Sequence, residues 1–177
     1  MSARSPAAAQ AYDYAEFMAR AYAIELEATE RYAQFAEQME AHNNPEVAAL
    51  FRKLSGFEAL HAKRILGEMG WVDMPALPPP LAWEGGGEGP ETAPFEALHY
   101  LMQPYHALEL ALRCELQALE YFEGIAKRDV PAQVKAAALD MAAEERLHAA
   151  LIRDWMQRVP PPAEGWDEDP DPPRMNE

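Results

Sequence analysis

Alternating steps of four and three residues keep side chains on one face of a helix, and four stretches of this chain place apolar residues at those steps. The first carries Tyr14, Met18, Ala21, Ala28, Tyr32, Phe35 and Met39, and the second Val47, Phe51, Leu54 and Ile65. The third carries Leu108, Ala111, Ala118, Phe122 and Ile125, and the fourth Val134, Ala138, Met141, Ile152 and Trp155. Strand signals are nearly absent, so the pattern predicts an all-α chain with four main helices. The first is expected from about Ala8 to Ala41, ending near His42-Asn43-Asn44. Asn44 is placed to cap the second, with Pro45 at the first position, where a missing N–H costs nothing. That helix runs to Met69 and stops at Gly70. A short helix is expected over 94–102. Pro104 opens or kinks the third long helix, which reaches about Arg128, and Pro131 starts the fourth, which ends near Val159.

Residues 73–93 contain PALPPPLAWEGGGEGPETA, a composition that cannot hold a helix. At this length it is a crossover connection rather than a tight bundle loop. The expected domain is therefore a four-helix bundle over 8–159, made of two helical hairpins joined by that linker. The proline-rich, acidic segment 160–177 is expected to be a disordered tail.

Six polar residues fall in phase with the apolar stripes: Glu25, Glu58, His61, Glu115, Glu145 and His148. Glu58-x-x-His61 and Glu145-x-x-His148 repeat one motif, and each has a glutamate upstream, Glu25 at 33 residues and Glu115 at 30. The halves also align more widely: Glu25-Leu26-Glu27-Ala28 parallels Glu115-Leu116-Gln117-Ala118. A glutamate on one helix and Glu-x-x-His on the next, given twice, is the donor set that four-helix carboxylate proteins use for two metal ions. Glu27, Glu30, Glu120, Glu123 and Glu144 lie off the stripes. Glu96-x-x-His99 has the same motif, but it is out of phase and lacks an upstream partner, so it is set aside. Four inward carboxylates would each lose hydration at roughly several kcal/mol. No lysine or arginine stands on the stripes to offset that cost, so metal ions are the physical solution. Carboxylate and imidazole donors suit two iron ions per chain, with manganese as the alternative, and not a thiolate-bound zinc.

Composition narrows the partners. The 177 residues include 15 Lys and Arg against 30 Asp and Glu, a formal charge of −15, which argues against nucleic acid and anionic membranes. One cysteine, Cys114, can build neither a disulfide nor a thiolate site within the chain. No apolar run suits a signal peptide or a membrane span, so a cytoplasmic protein is expected.

On this reading Glu58 and Glu145 bridge the ions, Glu25 and Glu115 are terminal, and His61 and His148 take one ion each. Open coordination positions would then admit O2 or H2O2. Tyr32 lies two turns after Glu25 on the same face. It is either a partner that hydrogen-bonds a ligand carboxylate and so tunes catalysis, or a core side chain. Phe122, its counterpart in the second half, has no hydroxyl.

Glu25 with Tyr32, then Glu58-x-x-His61-Ala62-Lys63-Arg64, resembles the first hairpin of rubrerythrins in the ferritin-like superfamily. Ala107 to Glu115 and Glu144-Glu145-Arg146-Leu147-His148 resemble the second, so the likeness spans about 10–157. It implies a di-iron oxidoreductase that reduces peroxide or O2. The electrons would come from Fe(II) or an external electron-donor protein, since one cysteine cannot form the four-cysteine rubredoxin domain that rubrerythrins usually append. Rubrerythrins carry a further glutamate three residues after the third-helix ligand, where this chain has Ala118. The donor set thus also resembles that of bacterioferritin, which implies a ferroxidase or iron-storage alternative. A hydroxylase of an organic substrate is a further alternative, which would need an apolar pocket beside the ions. Related bundles commonly pair, so a homo-oligomer is expected.

Overall fold

Helix boundaries fall where the sequence supplies caps. A computed structural model describes residues 13–73 and 89–171, with helices α1 (Tyr14–Ala41), α2 (Pro45–Met69), α3 (Pro104–Ala126) and α4 (Ala132–Met156). The Asn44 side chain accepts a hydrogen bond from the Val47 backbone N–H at 3.4 Å, closing the start of α2. Its amide nitrogen also donates to the Met102 carbonyl at 2.7 Å, tying the α1–α2 turn to the entrance of α3. Gly70 ends α2 with φ 65°, a left-handed conformation that favours glycine. At α3, the Gln103 backbone N–H donates to His106 Nδ1 at 3.0 Å and Pro104 fills the first turn.

The helices pair as two hairpins, α1 with α2 and α3 with α4, while α2 meets α3 and α1 meets α4 more sparingly. This is the all-α bundle expected, and no strand occurs among the described residues. Its core falls into two apolar halves. One gathers Phe17, Met18, Ala21, Ile65, Ala118, Phe122, Val134 and Ala138, and the other Ala28, Tyr32, Phe35, Phe51, Leu54, Leu108, Ala111 and Ile152. Along each helix the glutamate of the stripe lies at the changeover between halves, Glu25 between Ala21 and Ala28 and Glu115 between Ala111 and Ala118. A polar layer therefore crosses the bundle at mid-height.

Several local expectations are corrected. The short helix expected over 94–102 is a single 3-10 turn at Phe95–Ala97 followed by further i→i+3 turns. There the His99 imidazole accepts from the Leu101 N–H at 3.2 Å, competing with helical bonding. The ends of α3 and α4 fall two and three residues short of the expected Arg128 and Val159. Beyond α4, within the segment 160–171, Trp166 packs on His106 and His99 with ring centroids 3.8 Å and 5.1 Å away. The expected helix start over 8–12, most of the crossover (74–88) and the last residues (172–177) lie outside the described residues.

Phe17 has no exposed surface and meets Phe122 edge-on, with ring centroids 6.2 Å apart, joining α1 to α3. Phe17→Ala should lower stability by about 3–5 kcal/mol. A urea titration should show this as a lower midpoint at unchanged slope.

Candidate metal centre

Helical phase carries six chemically active side chains into the polar layer. Glu25, Glu58, Glu115 and Glu145 are buried, and His61 and His148 are partly so. They form two groups, Glu25 with Glu58 and His61, and Glu115 with Glu145 and His148, each with donor atoms within 4.8 Å of one another. His61 Nδ1 lies 3.3 Å from Glu58 and 3.6 Å from Glu25, and His148 Nδ1 lies 3.2 Å from both Glu115 and Glu145. The two imidazoles stack, with centroids 4.3 Å apart and planes within 1° of parallel. The internal repeat of the sequence thus becomes a near-symmetric pair of half-sites. Glu96 and His99 join no such group among the described residues: Glu96 is exposed, and His99 stacks on Tyr100 at 4.9 Å.

The electrostatics record the cost of this burial. Loss of hydration pushes the Glu25 carboxyl up to about 7, opposed by the neighbouring His61 and reinforced by Glu58 and Glu145. Burial likewise takes Glu115 to about 8, opposed by His148 and reinforced by Glu58 and Glu145. Glu58 and Glu145 therefore each act on both upstream glutamates. Burial pulls the histidines down, but their carboxylate partners outweigh it and hold His61 at about 9 and His148 at about 11. Glu25 Oε2, Glu58 Oε2 and His61 Nδ1 are nonetheless buried without a hydrogen-bond partner. Donor atoms this close, enclosed and unpartnered are what a bound cation would satisfy. An oxygen and imidazole set fits iron or manganese.

A seventh residue enters the layer from outside the helices. Glu91, in the crossover, is 1 % exposed, and both its carboxylate oxygens lack partners. It groups with Glu25 and Glu145 on one side and with Glu58 and Glu115 on the other. Burial, then the neighbouring glutamates, push its carboxyl well above the usual range. Sequence reasoning missed it, because Glu91 carries no helical phase and its local composition resembles that around Glu84 and Glu88.

Tyr32 is buried beside the layer and stacks on Phe51 with centroids 6.0 Å apart. Its hydroxyl makes no hydrogen bond to a ligand carboxylate, one of the two roles weighed above, and has no partner of good geometry. Burial, followed by Cys114 and the carboxylates, raises it well above the ordinary phenol value. Cys114 is pushed to about 12, chiefly by burial, which makes it a packing residue rather than a thiolate.

Beside the histidines lies a cavity of about 230 Å3, lined by Leu54, Phe57, His61, His148, Leu151 and Trp155, with Glu58 and Glu115 in its wall. It leads from the surface to the two half-sites. An apolar pocket of the kind a hydroxylase would need thus lies beside the half-sites.

The sequence profile of the rubrerythrin family matches residues 16–73, the stretch that carries Glu25, Glu58 and His61. The 2.00 Å crystal structure of an uncharacterized conserved protein from Magnetospirillum magnetotacticum is 37% identical to this chain and superposes with a TM-score of 0.64. The match covers 86% of this chain and 99% of that one. No curated protein matches.

The raised groups fix the sign of a pH effect. Glu25 and Glu115 bind protons more tightly folded than at the ordinary carboxylate value of 4.5, so the stability this lends is present at low pH and fades as pH rises through about 7 and about 8. The histidine contribution is complete below 6.5 and fades through about 9 and about 11. Metal must displace these protons, so the gain in Tm on adding Mn(II) to chelator-treated protein should grow from about pH 5 to about pH 8. Scanning calorimetry across that range checks it, and a gain that shrinks with pH would contradict the assignment.

Proposed function

Because the chain belongs to the rubrerythrin-like family of the ferritin-like superfamily, we propose that it is a di-iron oxidoreductase that reduces H2O2 or O2. The observation that carries this reading is the facing pair of Glu-Glu-His groups, joined through stacked imidazoles and reached by a cavity. Glu25, Glu58 and His61 would hold one ion and Glu115, Glu145 and His148 the other, with Glu58 and Glu145 as the carboxylates shared between them. A ferrous pair supplies two electrons together, the number needed to convert H2O2 and two protons into two molecules of water.

The protein's own part is positioning and shelter. Each imidazole Nδ1 lies 3.2–3.6 Å from two carboxylates, and the apolar lining of Leu54, Leu151 and Trp155 limits water beside the half-sites. The cavity leaves room for a small oxidant to approach along the histidine side. Re-reduction requires an external donor protein or free Fe(II). Exposed Leu60 and Leu147 on α2 and α4 would be covered in a homo-oligomer.

The same cavity favours one second reading, oxidation of a small apolar substrate, because it is lined largely by hydrocarbon next to the half-sites. A ferroxidase would differ again by retaining its oxidised iron.

Anaerobic Fe(II) loading should give two ions per chain, and Glu58→Ala and His148→Ala should each weaken binding by at least about 10–100-fold. With a reductant present, the parent should consume many equivalents of H2O2 per chain at constant bound iron. Accumulation of ferric mineral would instead mark iron storage. Oxidant consumption coupled one-to-one to a hydroxylated product would mark the hydroxylase.

A further inference from the structure

We propose that Glu91 is a fifth ligand carboxylate, delivered by the crossover and shared between the two metal positions; this rests on the di-metal reading above. No other residue outside the helices enters the layer among the described residues. Its side chain is enclosed, both its oxygens are unpartnered, and it is the one residue that groups with all four helical glutamates. A carboxylate in that position has no structural reward of its own. It makes no hydrogen bond and faces four residues of like charge, an arrangement that a bound cation converts from cost to gain.

The surrounding chain is built to place it. The Gly89 N–H donates to Glu27 Oε2 at 3.0 Å and the Thr92 hydroxyl to the same oxygen at 3.4 Å. Arg31 donates to the Ala93 carbonyl and lies over the Phe95 ring, 4.1 Å from its centroid. Glu27 and Arg31, one turn apart on α1, thus grip the crossover on either side of Glu91. Ala118, one turn beyond Glu115, is fully buried and adds no polar group to the layer.

The charge count gives this ligand a chemical consequence. Four carboxylates neutralise two divalent ions, while a fifth leaves excess negative charge that favours the trivalent pair. Glu91 would therefore lower the midpoint potential of the loaded centre, and Glu91→Gln would raise it.

The test uses Co(II) as an air-stable probe, titrated by calorimetry and visible absorption into the full chain. The parent should bind two ions. Glu91→Gln should bind them at least about 10-fold more weakly, or lose one, with an altered cobalt spectrum. Metal-free Glu91→Gln should melt higher than the metal-free parent, because an unpartnered buried carboxylate is gone. A residue with only a structural role would lower both melting points. Glu91→Asp, which keeps the charge at shorter reach, guards against misfolding of the Gln variant and should bind two ions with a shifted spectrum. Glu91→Gln and Glu91→Asp that match the parent in affinity and spectrum would overturn the Glu91 assignment while leaving the di-metal reading intact. A parent that binds no Co(II) would overturn both.

Discussion

Five carboxylates buried at mid-height in a helical bundle, with no buried lysine or arginine beside them among the described residues, form the constraint on which the rest of the structure depends. Each would lose hydration at a cost of roughly several kcal/mol, comparable in sum to the entire stability of a domain this size. The apolar halves above and below the layer can hold it in place only if the layer itself is neutralised. Protons do so in part, as the raised Glu25 and Glu115 carboxyls show. Two divalent cations would offset four of the five charges and supply the partners that the buried oxygens lack.

The crossover has a role beyond connecting two hairpins. A bundle of two near-repeats needs a long link for topological reasons, and this one passes close enough to α1 to be pinned by Glu27 and Arg31. The pinning brings Glu91 to the seam between half-sites that are otherwise nearly symmetric. Asymmetry enters at that seam and at Tyr32, whose counterpart Phe122 has no hydroxyl. The cavity by His61 and His148 opens on the histidine face of the layer.

How much was legible in the sequence follows from which residues carry periodicity. The four helices, their caps at Asn44 and Gly70, and the convergence of Glu25, Glu58, His61, Glu115, Glu145 and His148 are all consequences of helical phase. Phase also separated Glu58 and His61 from the near-identical Glu96 and His99. Glu91 was not legible because it stands in a Gly- and Pro-rich segment with no period, where only the tertiary path decides what is buried. The cavity was hidden for a related reason: Leu54, Phe57, Leu151 and Trp155 come from two helices, and only their packing reveals the space between them. Trp166 lies in a segment whose composition suggests disorder, yet its ring packs against His106 and His99.

The central claim is that this acidic layer exists to hold two metal ions. Anomalous diffraction at the iron edge from Fe(II)-loaded crystals tests it most directly. The account predicts two peaks about 3.5–4 Å apart, one beside Glu25, Glu58 and His61 and the other beside Glu115, Glu145 and His148. A single peak elsewhere on the surface, or none in the layer at full iron loading, would contradict it.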